Sequence, residues 1–143
     1  MDGLDGELIQ LVDSGTTRYS DLAKKVNAPL STVHIHMKKL EKEKVIRHYK
    51  GDIDWKKAGL PMTAFILINI DINLLQNLKK SQEKVLQELL SLQYVKEGSV
   101  ITGDADIIVK VIAKDSAHLK DILLNHIDRV HGVVNTKAIV SLD

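Results

Sequence analysis

The chain has 143 residues, 44% of them hydrophobic, a formal net charge of +1 and no cysteine. That is material for one domain of ordinary size or two small ones, and it excludes a disulfide framework, a thiolate nucleophile and a Cys-ligated zinc. No basic-then-apolar leader and no apolar run near the roughly 18–20 residues that span a bilayer are present, so a soluble, cytoplasmic protein is expected.

The small net charge conceals an uneven distribution. Residues 24–50 carry Lys24, Lys25, Lys38, Lys39, Lys42, Lys44, Arg47 and Lys50 against Glu41 and Glu43, whereas residues 1–23 carry Arg18 against five acids. A local concentration of cations of this kind is the electrostatic footprint of a nucleic-acid contact.

In chain order, Leu4, Leu8, Leu11 and Val12 recur at helical spacing, with Ile9 widening the stripe. Ser14-Gly15 is expected to end this helix, glycine taking a left-handed cap. Tyr19 or Ser20 opens a second helix with Leu22, Ala23 and Val26 on its apolar side. Pro29 disfavours helical backbone at Ala28 and forces a turn. Ser31 is expected at the N-cap or in the first turn of a third helix. There Leu30, Val33, Met37 and Leu40 form the apolar side. Ser31, Ile35, Lys38 and Lys42 project oppositely, flanked by Thr32, His34 and Lys39. Two short helices joined by a tight turn, the second with a cationic face, are the layout of a DNA-reading helix-turn-helix.

Residues 47–61 read as a connector: a strand over Arg47–Ile53, then a short helical turn stopped by Gly59 and Pro61. Trp55 is expected to anchor this connector. After Pro61 the pattern changes to strand (62–72), helix (Leu75–Leu92), strand (Val95–Thr102), turn (Gly103–Asp106), strand (Ile107–Ala113), helix (Ser116–Val130, capped by Asp115 or Ser116) and strand (Val133–Leu142). The order βαββαβ predicts a ferredoxin-like α+β domain, a four-stranded antiparallel sheet with two helices on one face. The other face must be solvated or covered by a second subunit. The expected division is 1–46 for the helix-turn-helix, 47–61 for the hinge and 62–143 for the ferredoxin-like domain.

The whole chain resembles the Lrp/AsnC, or feast/famine, family of prokaryotic transcription regulators. The resemblance is carried by Leu4-Asp5, Asp21-Leu22-Ala23, Ser31-Thr32-Val33, Leu40-Glu41, Val45-Ile46, Ala58-Gly59, the run Ile101-Thr102-Gly103-Asp104-Ala105-Asp106, and Gly132-Val133 with Thr136. It implies a DNA-binding N-terminal domain, a hinge strand and a C-terminal domain for effector binding and assembly. It also implies dimers formed through the sheets, assembling to tetramers or octamers, and a small effector, usually an amino acid, between dimers near the Gly-Asp-x-Asp turn. The chain departs from the family pattern at His36, where Arg is usual, at Lys44, where Gly is common, and at Ala105, where an aromatic is usual.

On this reading Lys38, Lys39 and Lys42 pair phosphates, and Ser31, Thr32, His34 and Ile35 lie where base edges are reached. His36 is expected at the core edge. The effector site implied by the resemblance comprises Thr102, Gly103, Asp104, Ala105 and Asp106, walled by Lys120, Leu124 and Thr136; Asp104 and Asp106 are carboxylates able to accept from an α-ammonium group, and Asp106 is expected to be the main partner. The competing interpretation is that Gly-Asp-x-Asp is a turn whose carboxylates cap local amides. The six scattered histidines make no evident metal site, there is no catalytic constellation, and no cofactor is expected. Two alternatives stay open: an architectural DNA-binding protein without effector, and a sirohaem-decarboxylase-like enzyme on the same fold.

Overall fold

The computed structural model describes residues 2–47 and 51–143, which form two compact units, 1–52 and 53–143. Of the strand expected over Arg47–Ile53, residues 48–50 lie outside the described residues, and the described ones, 47 and 51–53, are not in a strand. Among the described residues no helix is long and apolar enough to cross a membrane.

The first unit is built from α1 (Gly3–Asp13), α2 (Tyr19–Val26) and α3 (Leu30–Lys42). Asp2 caps α1 by accepting from Asp5 N at 2.8 Å. The helix ends with Gly15 at φ +104°, and Thr16 N donates to Leu11 O at 2.9 Å, the paired-bond closure that a left-handed glycine allows. Asn27 takes the left-handed cap of α2 at φ +53°. Pro29, not Ser31, is the residue before α3, and Ser31 lies inside its first turn. Leu8, Leu22, Val33, Met37 and Leu40 close the core, with Ala23 and Ile46 at its margin. Leu30, expected in this core, is 53% exposed, because it opens α3 before the helix reaches the other two.

In the second unit a hydrogen-bonded turn over residues 55–59 precedes the sheet, with Leu60 N donating to Trp55 O at 2.8 Å. Lys96 Nζ lies 4.7 Å from the centre of the Trp55 ring, a cation–π contact that fixes the turn to the domain. Then come β1 (Met62–Ile70), α4 (Ile72–Asn77), α5 (Gln82–Leu90), β2 (Val95–Val100), β3 (Ile107–Ala113), α6 (Ser116–Ile122) and β4 (Val133–Val140). The strand order is β2-β3-β1-β4, antiparallel throughout, with Ile66 opposite Val109 on one side and Ala138 on the other.

The single helix expected over Leu75–Leu92 is two. Asp71 caps α4 through Leu74 N, Lys79 turns left-handed at φ +52°, and Ser81 caps α5 through Lys84 N. Two caps this close redirect the backbone that apolar spacing alone would run straight through. Leu78, expected on the apolar stripe, is consequently exposed. Beyond α6 the helix widens to a π-turn over Leu123–Ile127.

Alternation along β1 decides the two faces of the sheet. Ala64, Ile66, Ile68 and Ile70 join Val85, Leu89, Leu119, Ile122 and Ile127 in a core under the helices. Phe65 and Leu67 point the other way. Phe65 and its cross-strand partner Ile139 are 38% and 49% exposed.

Candidate DNA interface and effector turn

Helix α3 presents the expected face. Ser31, His34, Ile35, Lys38, Lys39 and Lys42 are exposed and Thr32 is half-buried. Ile35 is 67% exposed, which puts a bare aliphatic side chain amid polar and cationic ones. That is unfavourable in water and useful against a thymine methyl.

Two side-chain clusters hold the helix. On the α1 side, His36 Nδ1 lies 2.8 Å from Asp5 Oδ1 and 3.9 Å from Asp2 Oδ2. Asp5 is 1% exposed and its Oδ2 has no hydrogen-bond partner among the described residues, with Lys39 Nζ 3.9 Å away. The hydrogen bond from His36 holds the Asp5 carboxyl below the usual range, helped by Asp2 and by the charges of His36 and Lys39, against the opposing effect of desolvation. On the α2 side, the Tyr19 hydroxyl donates to Glu41 Oε1 at 2.7 Å, the Tyr19 ring meets His34 edge-on at 5.5 Å, and Lys38 Nζ sits 3.8 Å from Glu41 Oε2. His34 and His36 thus face different helices. Of the three lysines on this face, Lys38 and Lys39 lean on carboxylates and Lys42 has no side-chain partner among the described residues. The supports Tyr19, Glu41, Asp2 and Asp5 are absent from the expected site. An Asp-x-x-Asp pattern at positions 2–5, an N-cap with an acid three residues on, is the readable signal for half of them.

The 101–106 turn closes the β2–β3 hairpin. Ile101 N donates to Asp106 O at 2.9 Å, Asp106 N to Ile68 O at 2.9 Å, and Asn69 Nδ2 to Asp104 O at 3.1 Å. Gly103 sits at φ +126°, the conformation that requires glycine there, since a Cβ would have open space. Asp106 Oδ2 accepts from Ile70 N at 2.8 Å, so one of its oxygens ties the turn to the end of β1. Asp104 is exposed and its carboxylate has no partner among the described residues. Ala105 is buried, and Thr102 and Gly103 are exposed. Thr136 pairs with Ile68 in β4, at the sheet level where Asp106 binds Ile68, and its hydroxyl lies 3.4 Å from Asp128 Oδ1. Lys120 on α6 and Leu124 just beyond it are exposed one turn apart.

These features coincide with relatives. Residues 63–143 match the family model for the Lrp/AsnC ligand binding domain, and residues 1–47 the winged helix-turn-helix DNA-binding model. An uncharacterised HTH-type transcriptional regulator of Pyrococcus horikoshii is 28% identical over 96% of this chain and 83% of its own. The structure of AsnC from E. coli covers 100% of this chain and 93% of its own at 25% identity, with a TM-score of 0.78. A transcriptional regulator of Neisseria meningitidis, solved as a complex with L-methionine, covers 100% and 90% at 20% identity, with a TM-score of 0.82. With residues 63–143 and the reading head both matched, the chain belongs to the Lrp/AsnC family of DNA-binding transcription regulators.

Proposed function

We propose that α3 reads a specific operator and that an amino acid bound at the 102–106 turn modulates that reading. Lys42 pairs phosphate most directly, while Lys38 and Lys39 divide their charge between DNA and Glu41 or Asp5. Ser31, Thr32, His34 and Ile35 meet base edges. The observation that carries this assignment is the exposed Ile35 amid cations on a helix locked from behind by Asp5 and His36.

At the effector end the roles of the two carboxylates divide. Asp106, the ammonium partner expected from the sequence, has one oxygen committed to Ile70 N and positions the turn. Asp104, exposed and without a partner among the described residues, is the ammonium acceptor, with Thr102 and Gly103 beside it in the turn, and Thr136 and Lys120 are kept as the further ligand contacts that the resemblance implies. Ala105 packs beneath the turn. The L-methionine in the Neisseria regulator supports an amino acid as ligand. The exposed Phe65–Ile139 face of the sheet pairs two copies, so that two reading helices engage a pseudo-palindromic site. Pairs of dimers enclose the effector in a tetramer or octamer.

Calorimetric titration of the twenty amino acids tests the effector assignment. One or a few bind the wild type, and Asp104→Ala abolishes that binding. Full affinity in Asp104→Ala eliminates the ammonium role, and no binding by any amino acid favours an architectural protein.

A further inference from the structure

The break between α4 and α5 faces the loop before β4 across an open cleft of about 840 Å³. Among the described residues one carboxylate, Glu88, lines it, and that group is already used. Lys80 Nζ lies 2.6 Å from Glu88 Oε2 and 3.0 Å from the His131 carbonyl, with the Lys80 side chain only 12% exposed. This partly buried strut ties α5 to the loop before β4 and leaves the two charges of the pair balanced. What remains is cationic: the exposed side chains of Lys79, Lys84 and Arg129 line the cleft beside that of His131, and none of the four makes a hydrogen bond or ion pair among the described residues. Leu78, Leu92 and Val130 form its apolar wall.

We propose that this cleft binds a small phosphate-bearing anion of nucleotide size, its phosphates held by Lys79, Lys84 and Arg129 and its uncharged part resting on the leucines and Val130. Unpaired like charges in one concavity raise the local concentration of anions. A guanidinium matches two phosphate oxygens at once. The volume falls in the range of about 300–1,000 Å³ typical of small-molecule sites. An amino acid is a poor fit, because the cationic wall repels its ammonium and no free carboxylate answers it. The cleft shares no residue with the 102–106 turn, so the inference stands or falls apart from the amino-acid assignment.

The test is calorimetry on the full chain at low salt with tripolyphosphate and with ATP. Four proteins are compared: wild type, Lys79→Glu/Arg129→Glu, the milder cleft variant Arg129→Gln, and Lys38→Ala/Lys42→Ala, with circular dichroism to verify folding. Both probes are expected to bind wild type and the α3 variant alike, and to bind the cleft variant about tenfold or more weakly, because charge-assisted hydrogen bonds to phosphate are removed. Binding retained by the cleft variant but abolished in the α3 variant overturns the proposal, as does an absence of binding to wild type. A cleft variant that loses DNA affinity when wild type binds neither probe identifies a DNA-backbone surface instead, and also overturns it.

Discussion

Helix α3 and the 101–106 turn are held in place by different means. Behind α3 the fastenings are side chain to side chain: His36 on Asp5 and Tyr19 on Glu41. Around the turn every fastening has a backbone group on at least one side: Ile101 N to Asp106 O, Asp106 N to Ile68 O, Asn69 Nδ2 to Asp104 O and Ile70 N to the side-chain Oδ2 of Asp106. Side-chain fastenings titrate and tolerate exchange for other pairs, such as the arginine usual in the family at position 36. Backbone fastenings depend on conformations that few residues adopt. The reading head is therefore the adjustable end of the molecule, and the turn the rigid one.

The largest expected effect tests the same dependence on backbone conformation outside the turn, in the loop before β4. Gly132 stands at φ +108°, and a Cβ there would come within 2.7 Å of Leu75 Cδ2. Gly132→Ala should destabilise the C-terminal unit by about 2–4 kcal/mol, combining left-handed strain with overpacking, as read by denaturant unfolding. Asp106→Ala should follow at about 1–3 kcal/mol, because it strips Ile70 N of its partner. If Asp106→Ala leaves the C-terminal transition where it was, the turn is not held as described.

On the adjustable side the readout is acid. The folded Asp5 carboxyl lies below its ordinary value of 3.8, chiefly through His36. A depressed carboxyl contributes stability above its unfolded value and loses it as pH falls through the folded one, so thermal stability of the N-terminal unit should decline from just below about pH 4. His36→Ala should lower the neutral-pH melting temperature and flatten that decline, whereas His36→Arg should preserve the former. The smallest effect concerns Lys44, at φ +59° just beyond α3. Lys44→Gly should stabilise by about 1 kcal/mol, the cost of a left-handed side chain removed.

The contrast also explains what is legible in the sequence. The βαββαβ order is readable because β1 and β3 are β-branched runs and Asp115 is a strong cap. The face of α3 is readable because helical geometry fixes which residues oppose Val33 and Met37. The break at 78–81 is hidden, since Leu75, Leu78, Val85 and Leu89 keep a plausible stripe across it and only Asp71 and Ser81 as competing caps mark it. The Asp5–His36 and Tyr19–Glu41 contacts join residues 31 and 22 positions apart, beyond the reach of local pattern. The roles proposed for Asp104 and Asp106 turn on which carboxylate meets Ile70 N, a fact of register rather than of motif.

The most direct measurement of the central claim is operator affinity as a function of salt for wild type and Lys42→Ala. If α3 is the reading element and Lys42 its freest cation, the slope of log K against log salt should fall in magnitude by about 0.9 for each phosphate that the variant no longer neutralises, with preference among sequences retained. An unchanged slope would contradict the account.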